Sequence, residues 1–377
     1  MAGKIYIDYA ATTPLDNEVL AAMQPYFSEK FYNPSANYLE AKSVRKDIDE
    51  ARKKIAFWLG AKQSEIIFTA GGTEANNLAI HGVLQQYKDS EIVISPVEHD
   101  SVMIPAEKYH AKTVKADKAG RIDLNDLKRK ITNKTVLVSI IYANSEIGTI
   151  QPIKDIAKII KEARQKRVNK LPLYLHIDAC QAGNYLDLHV SRLGVDLMTI
   201  NGGKIYGPKQ SGFLFVKSDV KLSPQILGGG QERGLRSGTE NVPAIIGLAE
   251  ALDKAQKLKN AELKRLQEIQ QYFIKELQKN LPKVSVNGSQ KHRLPNNVHV
   301  TIPKSDNERL LFGLDEAGIM AAAGTACSAS NQTPSHVLKA IGLSDKEARS
   351  SLRFSMGRNT KKSDIDRIIH TLKKITS

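Results

Sequence analysis

The sequence predicts an α/β fold built on a largely parallel sheet, joined to a smaller α+β region. Two observations carry this. From Glu65 to Val216, short apolar runs alternate with helical periodicities, the pattern of strands linked by crossover helices. After Asn241 the pattern changes to long helices and isolated short strands. A chain of 377 residues is also too long for one compact core. The expected division is a large α/β domain over 12–252 and a small domain made of 1–11 and 253–377, with the boundary inside a long helix near residue 252.

Taken in order, Ile5–Asp8 reads as a short apolar segment and Asp16–Met23 as a helix. Ser43–Leu59 carries Val44, Ile48, Ala51, Ile55 and Leu59 at helical spacing, ended by Gly60. Strands are expected at Glu65–Thr69, Glu91–Ser95, Thr135–Ile141, Leu173–Asp178, Leu197–Ile200 and Gly212–Val216, with helices over 73–86 and 153–166. Beyond them the spacing predicts two helices, Val242–Lys257 and Ala261–Asn280. Strands Val284–Val286, Val298–Ile302 and Leu352–Ser355 follow, with a helix near Glu308–Ala317 and a terminal one at Ser363–Ile375. The sequence shows no internal repeat and no low-complexity segment.

Hydrophobic content of 41% and charged content of 25% are ordinary for a globular protein. No run of eighteen apolar residues is present, so no membrane span is expected, and MAGKIYIDYA lacks a signal-peptide core. Two cysteines, Cys180 and Cys327, make no disulfide framework and fit a reducing cytoplasm. The net charge of +15 raises a nucleic-acid or acidic partner. However, the lysines are spread along helices, and no zinc-finger spacing, RNA-binding signature or Arg-rich tract accompanies them. Solvated helix faces account for the charge, with direct nucleic-acid binding not expected.

Three stretches carry chemistry. Ile200–Phe213, INGGKIYGPKQSGF, sets Lys204 among glycines between two apolar runs. A lysine whose water exposure is fixed in this way suits Schiff-base chemistry, which needs a neutral amine; the ordinary alternative is a hairpin surface lysine. LYLHIDACQ ends an apolar strand in Asp178, a carboxylate that needs a cationic partner or else caps a helix. AGGTEANN places Gly72 and Thr73 at a strand-to-helix junction, where backbone N–H groups and a hydroxyl form an anion site. Amine, strand-end carboxylate and phosphate cup together match the aldehyde, pyridine nitrogen and phosphate of pyridoxal 5′-phosphate.

These motifs, with IDYAATTP (Ile7–Pro14), EH (Glu98–His99), ANSEIG (Ala143–Gly148), GGGQERGLRSGT (Gly228–Thr239), GTACSAS (Gly324–Ser330) and SLRFSMGR (Ser351–Arg358), resemble the cysteine desulfurases of the nitrogen-fixation and iron–sulfur-assembly type, in the class V aminotransferase superfamily. The resemblance spans essentially the whole chain. It implies an aspartate-aminotransferase-like fold type I. By this resemblance Lys204 bonds the cofactor's aldehyde and then moves the substrate's α-proton. Asp178 keeps the ring nitrogen protonated, Gln181 donates to the ring phenolate and His99 stacks on the ring. Gly72, Thr73 and position 201 hold the phosphate, with Thr239 reaching it across a homodimer interface. Arg353 binds the substrate carboxylate, and Asn33, Asn144 and Ala11–Thr12 line the same pocket.

Cys327 matches the nucleophile that takes sulfur from L-cysteine as a persulfide, for delivery to an iron–sulfur scaffold or tRNA-thiolation protein. Cys180 is read as a packed residue. Three positions depart from the family pattern. Asn201 and Gly203 stand where relatives carry a serine and a histidine on the phosphate, and Ser145 stands where they carry an asparagine. These changes bear on cofactor affinity rather than reaction type. The alternatives are a selenocysteine lyase or cysteine-sulfinate desulfinase, or a low-turnover sulfur-delivery scaffold.

Overall fold

The computed structural model describes residues 3–324 and 334–376. Cys327 and its neighbours in the GTACSAS motif from Thr325 onward lie outside the described residues. Among the described residues twelve strands are numbered in chain order: β1 Ile5–Tyr6, β2 Ile66–Thr69, β3 Glu91–Ile94, β4 His110–Thr113, β5 Thr135–Ile141, β6 Tyr174–Asp178, β7 Leu197–Asn201, β8 Gly212–Val216, β9 Ser285–Val286, β10 Asn297–Thr301, β11 Ile319–Met320 and β12 Ser351–Ser355.

Strands β2 to β8 form a seven-stranded sheet in the order β2-β8-β7-β6-β5-β3-β4. The pairs from β7 through β4 are parallel, and β8 runs antiparallel to both β7 and β2. Every residue of β5 and β6 is buried. That is the condition for near-continuous apolar strands covered on both faces. Side chains alternate between the two faces. Phe68, Val138, Ile177, Ile200 and Phe213 join a core shared with the helices Leu39–Leu59, Ile153–Lys166 and the first half of Val242–Asn280. Ile67, Ile94, Leu197 and Leu214 face the helix Gly72–Leu84 on the other side.

A separate apolar cluster unites Ile5, Ile7, Leu266, Phe273, Val298, Val300, Leu352, Phe354 and the terminal helix Lys362–Thr376. Its strands form the antiparallel sheet β12-β10-β9 and the parallel pair β1-β11. Among the described residues, no helix is long and apolar enough to cross a membrane.

Two expectations are corrected. The expected helices Val242–Lys257 and Ala261–Asn280 are one helix of 39 residues, Val242–Asn280. Its buried residues run to Gln256 on the large-sheet core and resume at Leu266 in the second cluster. The intervening polar turns bridge the two cores through solvent, so the apolar periodicity lapses while the helix continues. Strand β4 was not expected. Its sequence, HAKT, lies at the sheet edge, half-buried to exposed, and a short polar edge strand leaves no apolar signal.

Candidate active site

The carboxyl ends of β6 and β7 open into a cleft whose walls come from several separate stretches of the chain. A ligand crevice at the carboxyl ends of parallel strands is the general rule for open α/β sheets. Lys204, Asp178, Gln181, His99, Asn201 and Arg353 all line it. So do Gly72 and Thr73.

Lys204 follows β7 on a single 3-10 turn, Gly202–Lys204. Asn201 caps that turn, its Oδ1 accepting the Gly203 N–H at 2.9 Å. The Lys204 Nζ donates to the carbonyl of Ala10 at 2.9 Å and to that of Ala11. Burial holds its ammonium below the ordinary lysine range, and Arg353 adds to that shift against Cys180, Asp8 and Asp178. A buried amine with a lowered pKa is the form that bonds carbonyls and moves protons.

Asp178 closes β6 and is 4% exposed. Its Oδ1 accepts the Cys180 N–H and its Oδ2 accepts the Asn76 Nδ2–H, both at 2.9 Å. Asn76 also donates to Ser101 Oγ at 2.9 Å, and Ser101 Oγ lies 2.8 Å from His99 Nδ1. His99 Nδ1 already accepts the Ser101 backbone N–H at 3.1 Å, capping the helix Asp100–Ala106. That bond puts the proton of the neutral ring on Nε2. One relay of side chains thus orients Asp178 and His99 on the same cleft. Asn76 and Ser101 were not assigned from the sequence. The only available signal for Asn76 was its place one turn into the helix behind the Gly-Gly-Thr cup.

The helix Gly72–Leu84 begins at Gly71, which has φ 141° and offers no side-chain cap. Among the described residues no side chain caps its first N–H groups, and Gly72 and Thr73 line the cleft, the arrangement that binds anions. A Cβ at Gly72 would lie 2.7 Å from Cys180 Sγ, so only glycine lets this helix start so close to β6. The Cys180 thiol is pushed well up, chiefly by burial and then by Asp178, which suits a packed residue rather than a nucleophile.

Arg353, on β12, is 1% exposed. Its Nη2 donates to Asp8 Oδ1 at 2.6 Å and its Nη1 to the Ser145 carbonyl at 3.3 Å. Gln181 Nε2 donates to the Ala10 carbonyl at 2.9 Å.

Three residues expected in this pocket, Asn144, Asn33 and Thr12, do not line the cleft, and Thr12 lines an adjoining cavity with Gly72 and Thr73. Asn144 is buried, with Nδ2 on the Val97 carbonyl at 2.8 Å and Oδ1 accepting the N–H groups of Glu146 and Ile147. Its amide holds a turn, and the neighbouring Ser145 lines the cleft instead. Asn33 is exposed, its Oδ1 accepting the Ser35 N–H in a local turn. Thr239, expected to act across a dimer interface rather than in its own chain's cleft, is exposed and lines a different cavity, beside Phe68, Arg236 and Leu248.

A mostly parallel sheet with lysine, aspartate and an uncapped helix N-terminus on one cleft defines a class, the amine-handling enzymes of aminotransferase type. The aminotransferase class-V profile matches residues 5–368. A cysteine desulfurase IscS of Dictyoglomus turgidum is 42% identical, over 100% of this chain and 95% of its own length. The cysteine desulfurase IscS 1 of Archaeoglobus fulgidus is 40% identical, over 97% of this chain and 95% of its own. Among solved structures, a NifS-like protein from Rickettsia africae superposes with a TM-score of 0.89 at 32% identity, covering 99% of both chains. The chain belongs to the class-V aminotransferase family, in its cysteine desulfurase branch.

Proposed function

We propose that this chain is a pyridoxal 5′-phosphate-dependent cysteine desulfurase that converts L-cysteine to L-alanine and retains the sulfur as a persulfide on Cys327. The observation that carries the reading is the convergence of Lys204, Asp178, Arg353 and the uncapped start of helix Gly72–Leu84 on one cleft. The residues fit the cofactor. Lys204 presents an amine with a lowered pKa, Asp178 a fixed carboxylate for the ring nitrogen, and Gly71 to Thr73 uncapped N–H groups for the phosphate. When bound, the cofactor supplies an aldehyde that captures the substrate amine and a ring that takes up electrons from its α-carbon.

The chain's own residues do the rest. Arg353 holds the substrate carboxylate, which fixes the α-carbon near Lys204. Lys204 removes the α-proton and returns a proton as the product forms. The Cys327 thiolate attacks the substrate sulfur. An S–S bond forms as the C–S bond breaks, the electron pair stays on carbon, and a proton completes the methyl group of L-alanine. The persulfide sulfur then passes to an acceptor protein serving iron–sulfur assembly or tRNA thiolation.

We infer a cytoplasmic homodimer in which Thr239 faces the partner's phosphate cup. Its exposure and its absence from the lining of its own chain's cleft support this, as do the exposed apolar side chains of Phe27, Phe31, Leu39 and Leu227. The test is Lys204→Ala. The variant loses one cleft side chain and no core volume, so it should stay folded while the visible band of the cofactor-loaded protein disappears. A retained band that borohydride still fixes to the protein would place the covalent bond elsewhere.

A further inference from the structure

The segment from Asp8 to Thr13 crosses the cleft and supplies acceptors to both of its cations. The Ala10 and Ala11 carbonyls hold Lys204 Nζ, and Asp8 Oδ1 holds Arg353 Nη2 at 2.6 Å. Arg353 has few other partners. Nη1 reaches only the Ser145 carbonyl, and Nε has no partner among the described residues. Its side chain is 2% exposed, and a guanidinium so deeply buried requires an anion beside it. Glu146 also lies within electrostatic reach. However, burial pushes its carboxyl toward the protonated form, and its Oε2 accepts from Ser335 Oγ at 2.7 Å. Asp8 is the one carboxylate ion-paired to Arg353 among the described residues. Its side chain is 19% exposed, so it can turn from the guanidinium toward water without being stranded.

We propose that Asp8 is an internal occupant of the carboxylate position on Arg353, a specificity-determining residue whose charge an incoming α-carboxylate must displace or share. The proposal rests on the reading of Arg353 as the carboxylate-binding group. Two carboxylates on one buried guanidinium repel each other strongly, because the surrounding dielectric is low. The Asp8 charge therefore weakens the hold on amino acids that bring a carboxylate. It is neutral toward amines that lack one, since these leave the Asp8–Arg353 pair intact.

The experiment is calorimetric binding of L-alanine and of L-alaninamide to the cofactor-loaded protein. Asp8→Asn, and Asp8→Ser as a second neutral variant, should bind L-alanine about five- to tenfold more tightly than the wild type. L-Alaninamide should bind all forms alike. Asp8→Glu keeps the charge and should stay within about twofold of wild type for both ligands. Ligand-free Asp8→Asn should melt lower, and L-alanine should raise its Tm more than it raises that of the wild type. KM for L-cysteine should fall in proportion to the tighter L-alanine binding. Unchanged or weaker L-alanine binding in the folded neutral variants, or an equal gain for L-alaninamide, would overturn the proposal. Arg353→Gln with undiminished L-alanine affinity would instead remove the reading of Arg353. A wild-type protein that releases no alanine from L-cysteine would remove the desulfurase reading, while the two-ligand comparison would still decide the role of Asp8.

Discussion

Beside Lys204, position 203 is a glycine where the family resemblance expects a histidine. The backbone there is not in the left-handed region, and an added Cβ would meet nothing closer than Asn201 Oδ1 at 3.4 Å. The turn can therefore carry an imidazole at the mouth of the phosphate cup. Gly203→His should tighten cofactor binding by at least about tenfold, the effect of one charge-assisted hydrogen bond of about 1.5 kcal/mol. Equilibrium titration of the apoprotein with pyridoxal 5′-phosphate measures it, and unchanged affinity would mean that another donor already serves the phosphate. At this scale the sequence was legible where backbone position dictates chemistry. Asp178 ends a buried strand and Lys204 follows one, so each had a place before it had neighbours. Asn76 and Ser101 had none, because their role is to join His99 to an aspartate 102 positions from Asn76. Asn144 was misread for the converse reason: an asparagine that lines a pocket and one that closes a turn look the same in sequence.

Among the elements, the edge strand β2 is tied to the loop that carries Thr239 by one buried ion pair. Arg52, on the helix Leu39–Leu59, forks onto Glu232 with bonds of 2.8 and 2.7 Å and donates to the Ile66 carbonyl at 2.7 Å. Its guanidinium lies 4.4 Å from the centre of the Phe68 ring, and Glu232 also accepts the Phe68 N–H at 2.9 Å. Removing the arginine leaves a buried carboxylate without its cation. Arg52→Ala should cost about 3–5 kcal/mol in urea unfolding. A loss below about 1 kcal/mol would show that water reaches the pair. Nothing in the local sequence announces this contact, since its partners are 180 residues apart. The buried strands β5 to β8 were legible because all-apolar runs between turn residues have few other readings. The unbroken helix Val242–Asn280 was not, because its solvent-crossing turns look like a loop in composition.

Across the whole molecule, stability should depend on two buried, uncharged histidines. His176 sits between Ser139 Oγ at 2.8 Å and Thr199 Oγ1 at 3.0 Å, and burial lowers its pKa from 6.5 to about 4. Burial lowers that of His299 to about 3, with Arg293 and Arg353 adding to the shift. Below pH 6.5 the unfolded chain takes up protons that these folded imidazoles refuse. Their contribution is therefore whole above that pH and is lost as pH falls toward 4 and then 3. For His176 alone the loss at pH 5 is about 2 kcal/mol. The urea midpoint should fall between pH 7 and pH 5, and His176→Gln should flatten that fall. An equally steep profile in the variant would assign the acid sensitivity to other groups.

The sulfur chemistry separates a desulfurase from an ordinary aminotransferase, because only the desulfurase needs a thiol. In the proposed reaction Lys204, Asp178 and Arg353 would serve both, which leaves Cys327 as the residue that discriminates. The direct measurement is alanine release and protein-bound persulfide from L-cysteine in Cys327→Ser, with Cys180→Ser as the comparison. A serine hydroxyl neither ionises near neutral pH nor attacks sulfur well. Cys327→Ser should keep its cofactor and bind L-cysteine, yet form no persulfide and release alanine at less than about a hundredth of the wild-type rate. Cys180→Ser should turn over nearly as the wild type does. Wild-type alanine release from Cys327→Ser, or loss of persulfide only in Cys180→Ser, would contradict the account.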